Sequence, residues 1–229
     1  MAKKNDKTET AGKEVGELVS RSEQFIENNK KNISYGLIAL AAIIAAIVAY
    51  NVLYLTPKNE NAAKALYKGE QYFQKDSFNL ALNGNGVDYD GFEYIINNYG
   101  GTKSANLAKA YAGICCYKNG DYDGAIKHLK SFDGNDDNIA PAIIGLIGDC
   151  CVDAGNVGEG ITYFEKAAKK AANDFLSPVY LKKAGIAYES LQRYGDAIKV
   201  YTEIKEKHAA SMEAVDIQKY ITRAELAVK

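Results

Sequence analysis

A chain of 229 residues is long enough to bury a core, and its 28 Lys and Arg against 29 Asp and Glu leave no excess of the positive charge that a nucleic-acid partner requires. Three Pro and no Trp, with many Ala, Lys, Glu and Leu, favour helix over sheet, so the expected class is all-α.

The first ten residues, MAKKNDKTET, are charged and carry no apolar periodicity, which predicts disorder. From Val15 the apolar residues Val15, Leu18, Val19, Phe25 and Ile26 recur near helical spacing, with Ser22 on the same face. They predict one short amphipathic helix before Asn28-Asn29-Lys30-Lys31, within a hydrophilic segment that covers residues 1–31. Such a helix suits a membrane surface, a partner, or a simple extension of an anchor.

Between Asn32 and Pro57 there is no charged side chain. Residues 33–55 read ISYGLIALAAIIAAIVAYNVLYL, and at 1.5 Å per residue they cross a hydrocarbon layer of roughly 30 Å. Tyr35 lies near one end and Tyr50 and Tyr54 near the other, where amphipathic rings prefer the headgroup level. A cleaved signal peptide has a shorter apolar stretch behind a short basic start, whereas a hydrophilic leader precedes this one. An uncleaved transmembrane helix is the expectation, and with no Cys before residue 115 its anchor is not a lipid-modified N-terminal Cys. Arg21, Lys30 and Lys31 on one side against Lys58 and Lys64 on the other place the N-terminus in the cytoplasm and the larger segment across the membrane.

Beyond Pro57 three segments align: LAKAYAGICCYKNGDYDGAIKHLKSF from Leu107, AIIGLIGDCCVDAGNVGEGITYFEKA from Ala142 and VYLKKAGIAYESLQRYGDAIKVYTEI from Val179. Gly113, Gly148 and Gly185 correspond, as do Ala125, Gly160 and Ala197, and Leu129, Phe164 and Tyr201. Each segment predicts a helix A, a turn and a helix B. Small residues of the Gly113 type let the two helices approach, and Gly120 and Gly155 supply the turn. Pro141 and Pro178 are expected at the first residue of their A helices, where a missing N–H costs nothing, with Ser177 as a cap. A degenerate copy spans Ala62 to Tyr99, with Tyr89 in its helix B and an insertion, Lys75 to Asp88, expected to loop out. Ala209 to Val228 is expected to form one capping helix, with Ala214, Ile217, Ile221, Ala224 and Val228 facing the stack.

The glycine positions are spaced by 35 and 37 residues, close to the 34 of a tetratricopeptide repeat, and the chain resembles that superfamily over about Ala62 to Ile204. The resemblance implies an α-solenoid over residues 58–229, about four helix pairs plus the C-terminal cap, although the early Trp and the terminal Pro of the family pattern are absent. With its hydrophilic start ending in FIENNKKN, its apolar segment and its repeats, the chain is also similar to the YfgM-like family of ancillary Sec-translocon subunits. That resemblance implies a bacterial inner-membrane protein with periplasmic repeats, in contact with the translocon and with periplasmic chaperones. A structural scaffold of another envelope secretion or assembly machine is the alternative.

Catalysis has little support. His128 and His208 are the only histidines, neither in a metal-spaced or nucleophilic set, and are expected to be exposed on helices. No phosphate-binding loop is present. Cys115-Cys116 and Cys150-Cys151 occupy matching places in adjacent repeats, but vicinal cysteines on a helix point about 100° apart and suit burial better than a shared metal. No metal, no cofactor and no enzyme activity are expected. The expected function is protein binding on a face lined by A helices, carried by Ile114, Tyr117, Lys118, Asp149, Asp153, Lys182, Ile186 and Glu189. The dense cationic set that would clamp a carboxylate tail is missing from these places.

Overall fold

The computed structural model describes the backbone of residues 5–228 and the side chains of residues 27–228, and all regular structure in that range is helical. Its contacts divide into two units, Met1–Pro57 and Lys58–Lys229.

In the first unit, helix α1 runs from Asn5 to Tyr50 and is followed by a π-helical segment, Asn51–Leu55. The helix begins inside the stretch expected to be disordered and continues through Asn28–Lys31, where the sequence suggested an end. The cause is cooperativity: once the apolar segment is helical, a leader rich in Lys and Glu and free of Pro extends it at little cost per residue. The side chains of the stripe from Val15 to Ile26 lie outside the described residues. From Tyr35 onward the large apolar side chains are exposed on every side, Leu37, Ile38, Ile43 and Leu53 among them. The apolar stretch has mean hydropathy 2.4 and no burial, and is long and apolar enough to cross a membrane. Asn51, the one strongly polar residue of residues 33–55, turns its amide back onto the Ile47 carbonyl at 2.9 Å. The Thr56 hydroxyl donates to the Asn51 carbonyl at 3.0 Å, so both polar groups are satisfied within the chain.

The second unit is built from α2 (Thr56–Phe73), α3 (Phe78–Asn83), α4 (Phe92–Asn98), α5 (Lys103–Lys118), α6 (Tyr122–Ser131), α7 (Ile139–Asp153), α8 (Val157–Ala171), α9 (Ser177–Ser190), α10 (Tyr194–Lys207) and α11 (Ile217–Val228). From α4 onward each helix packs on the next in chain order. Three hairpins result: α5 with α6, α7 with α8 and α9 with α10. Their tightness comes from one position. A Cβ on Gly113, Gly148 or Gly185 would overlap the side chain of Leu129, Phe164 or Tyr201 respectively, so only glycine lets the second helix of each hairpin lie this close. Gly69 of α2 stands in the same relation to Phe92 of α4.

The turn that follows is also repeated. Seven residues after those glycines come Asp76, Gly120, Gly155 and Gln192, with φ of 55°, 80°, 86° and 58°. In each case the next residue donates its N–H to the carbonyl five residues earlier, as Ser77 does to Tyr72, Asp121 to Cys116, Asn156 to Cys151 and Arg193 to Tyr188. Two of the four turns therefore place a non-glycine residue in the left-handed region.

Several details differ from the sequence reading. The insertion does not simply loop out, because its residues 78–83 form α3 and bury Ala81 and Leu82 against the core. Tyr89 precedes helix α4 rather than joining it, and its hydroxyl donates to the Ala81 carbonyl at 2.8 Å. The C-terminal segment is not one helix: Ala209–Asp216 contains only a 3-10 turn, Glu213–Val215, before α11. Val228 is exposed, since α11 by then has run past the helices that cover Ile217, Ile221 and Ala224. Ser177 is the first residue of α9 rather than its cap, so Pro178 comes second there, and Pro141 follows Ile139 and Ala140 in α7; both prolines stay in the first turn, where N–H groups have no helical partner. The Ser177 hydroxyl donates to the Ala168 carbonyl of α8 at 2.8 Å and accepts the Asn173 N–H, which fastens the turn between the two helices.

Candidate partner-binding face

The first helices of successive hairpins, α5, α7, α9 and then α11, are joined by side chains about one repeat apart. The Tyr117 hydroxyl of α5 donates to Asp153 Oδ2 at 2.8 Å. Lys183 Nζ of α9 donates to both carboxylate oxygens of Asp149 in α7, at 2.7 and 2.9 Å. Lys182 Nζ bonds Asp216 Oδ1 at 2.6 Å, and Arg223 of α11 grips Glu189 with two bonds of 2.8 and 2.9 Å. The rings add to these links, for Lys182 and Arg223 both lie over Tyr220, at 4.5 and 4.8 Å from its centre.

Between α7 and α9 this ladder borders a depression of about 250 Å³ lined by Asp149, Val152, Phe164, Lys183, Ile186, Ala187 and Ser190. Its floor is apolar and its rim carries the Asp149–Lys183 pair. Ile186 is 46% exposed there, whereas Tyr180, Leu181 and Tyr188 of the same helix are buried.

Of the eight residues named from the sequence, Asp149 and Ile186 line the depression. Tyr117 and Asp153 bond each other, while Lys182 and Glu189 are engaged with α11. Ile114 is half-buried on α5 and Lys118 is exposed in its last turn. Val152, Phe164, Lys183 and Ala187 were not foreseen, and neither were Asp216 and Arg223. A signal existed for the charged ones: Asp149 and Lys183, Lys182 and Asp216, and Glu189 and Arg223 are opposite charges separated by 34 residues.

The electrostatics follow from these contacts. The hydrogen bond to Asp153, with burial second, raises the Tyr117 phenol above its ordinary value. Burial, and then the Glu189 carboxylate, raises that of Tyr201, whose hydroxyl donates to Glu189 Oε1 at 2.7 Å. Lys182 holds the Asp216 carboxyl below the usual range.

All four cysteines are buried and unpaired. Burial raises Cys115 and Cys150 to about 12 and Cys116 to about 11, which keeps them as neutral thiols inside the core. The histidines are not the exposed residues the sequence suggested. His128 is buried in the last turn of α6 with Nε2 2.8 Å from Glu93 Oε1 of α4. His208 is half-buried and holds Asp174 through Nδ1 at 2.7 Å. Among the described residues no cluster of three or more His, Cys, Asp or Glu is arranged to hold a metal ion.

No protein-family model and no curated protein sequence matches the chain.

Proposed function

We propose that the chain is an inner-membrane-anchored tetratricopeptide-repeat protein that binds other proteins and catalyses no reaction. In this reading residues 33–55 span the membrane with the N-terminus in the cytoplasm, and residues 58–229 form a repeat solenoid in the bacterial periplasm. Its partners are the Sec translocon, periplasmic chaperones or the chains being secreted. The observation that carries the binding role is the apolar depression between α7 and α9, where Ile186 is exposed beside the Asp149–Lys183 pair. An apolar floor with a few fixed polar groups suits an extended or helical peptide segment. The fourfold turn and the close-approach glycines support the repeat assignment, since one supersecondary unit is used again with the same bonds.

Topology and binding are tested separately. With the native cysteines replaced by Ala or Ser, Thr8→Cys should resist a membrane-impermeant maleimide in intact spheroplasts and Val87→Cys should react. Val87 is 91% exposed, whereas the neighbouring Asn85 is occupied by three backbone N–H groups and is unsuited to labelling. Reaction at residue 8 but not at 87 places the repeats in the cytoplasm and refutes the periplasmic reading. For binding, affinity purification of the full chain in mild detergent should recover translocon or chaperone components, and Ile186→Asp should lose them. A single stoichiometric partner unaffected by Ile186→Asp would favour the scaffold alternative.

A further inference from the structure

The stacked hairpins leave two clefts at corresponding places in successive repeats. The first lies between α6, α7 and α8 and measures about 560 Å³, and the second lies between α8, α9 and α10 and measures about 510 Å³. Each has an apolar lining, from Phe132, Ile143, Ile144 and Ile147 in the first and from Leu181 and Val200 in the second. Their charges are reversed at equivalent positions. Leu129, Phe164 and Tyr201, which the close-approach glycines meet, set the register between the repeats. The residue after Leu129 is Lys130, and the residue after Phe164 is Glu165. Two residues after Phe164 stands Lys166, and two after Tyr201 stands Glu203. Lys130 and Lys166 line the first cleft, Glu165 and Glu203 the second.

The clefts also differ in how far those charges are already engaged. In the second, Glu165 accepts the Tyr188 hydroxyl at 2.6 Å and Glu203 accepts from Lys207 at 2.9 Å, while Lys169 and His208 also line the cleft. In the first, Lys166 and Lys170 make no side-chain hydrogen bond or ion pair among the described residues. Lys130 lies over the Tyr163 ring at 5.3 Å from its centre, with Glu159 no nearer than 3.8 Å. No Asp or Glu lines this cleft. Asp133, Asp136 and Asp137 stand beside it in the α6–α7 turn, where Asp136 accepts the N–H groups that open α7.

We propose that the first cleft is a second recognition site, which takes a short peptide segment of another protein in which acidic side chains alternate with apolar ones. The apolar side chains enter among the three isoleucines, and the carboxylates beside them reach Lys130, Lys166 and Lys170 singly. A continuous polyanion or an anionic bilayer would bring its charge against Asp133, Asp137 and Glu159 as well. The second cleft has carboxylates where the first has lysines and refuses the same segment, so the charge reversal fixes which repeat is read. This site is separate from the depression between α7 and α9, and the test lets either fail alone.

The probe is a short fluorescein-labelled, amidated peptide that alternates Glu and Leu, compared with Gln–Leu and Lys–Leu peptides of the same length. Binding is read by fluorescence anisotropy on the full chain in a mild nonionic detergent, with the detergent alone as the blank. The Glu–Leu peptide should bind most tightly, and less so as salt is raised. Lys130→Glu combined with Lys166→Glu gives the first cleft the charges of the second. That double variant should bind the Glu–Leu peptide about tenfold more weakly and gain affinity for the Lys–Leu peptide, a gain that an unfolded chain would not show. Lys166→Glu alone removes no contact of the folded chain and should weaken Glu–Leu binding about threefold. Ile186→Asp should leave it unchanged. Equal binding of the Glu–Leu and Gln–Leu peptides, or unchanged binding in the double variant, overturns the proposal. Loss of binding in Ile186→Asp with retention in the double variant moves the peptide to the depression between α7 and α9 and also overturns it. Displacement of the probe by short-chain phosphatidylglycerol as effectively as by unlabelled peptide assigns the cleft to an anionic amphiphile and overturns the peptide reading.

Discussion

Replacing Gly185 by Ala should destabilise the repeat unit, although alanine is the better helix former by about 1 kcal/mol. The added Cβ would stand within 3.0 Å of three atoms of the Tyr201 ring. That ring has no easy escape: it is fully buried, its hydroxyl is bonded to Glu189 at 2.7 Å, and it packs against Tyr220 with centres 5.5 Å apart. Overpacking of this kind costs about 1–3 kcal/mol and here outweighs the propensity gain. Gly158, in the first turn of α8, is the control, since a Cβ there meets nothing within 4 Å and Gly158→Ala should be neutral or stabilising by up to about 1 kcal/mol. The two variants should therefore differ by about 2 kcal/mol, or about 1 M in urea midpoint for a typical dependence on denaturant. The assay is urea unfolding of the full chain in mild detergent, followed by the near-ultraviolet signal of its tyrosines. If Gly185→Ala proves as stable as Gly158→Ala, the close packing of α9 on α10 through this glycine is not what holds the hairpin.

Gln192 holds φ of 58° where the two preceding repeats have glycine, so Gln192→Gly should raise stability by about 0.5–1 kcal/mol, read as a higher urea midpoint. Glu189 is the common acceptor of Tyr201 and Arg223 and has a side chain only 14% exposed, so Glu189→Gln should cost about 1–2 kcal/mol and speed amide exchange in α11 before other helices. The cysteines should resist iodoacetamide at neutral pH in the folded chain and react after unfolding in urea. Their raised values stabilise the fold fully below the ordinary thiol range, near pH 8.5, and that contribution is lost as pH rises toward about 12; replacing Cys115 and Cys150 by Ala should flatten the alkaline decline of the urea midpoint.

The all-helical class and the long apolar helix were legible because both rest on local signals, composition in one case and an uncharged run in the other. The repeat register was legible through Gly113, Gly148 and Gly185, whose partners 16 residues later are the side chains a Cβ would strike. The hidden features depend on tertiary contacts. The αL residues Asp76 and Gln192 carry no glycine to announce them, so two of the four turns are invisible to composition. Helix α3 forms from a stretch rich in Asn and Gly because Ala81 and Leu82 find a core to enter, and burial overrides propensity. His128 is buried against Glu93, which stands on α4, 35 residues earlier in the chain. On the candidate face the helix was foreseen but the pairing was not: Lys182 and Lys183 are neighbours in sequence, yet one reaches forward to Asp216 and the other back to Asp149.

The glycine contacts bear on how the depression between α7 and α9 would receive an occupant. Side chains that fill a helix interface can change rotamer and let helices shift, whereas Gly148 and Gly160 meet with almost no side chain between them, so the distance from α7 to α8 is set by the two backbones. Helix α9 packs next on α8, and Lys183 ties it back to Asp149 of α7. If these contacts hold the groove at its present width, a peptide lying in it would bring mainly its own loss of freedom to the binding equilibrium. A site of that kind would gain affinity by sparing the protein any ordering, and would discriminate by shape because it could reshape itself little around a poor fit.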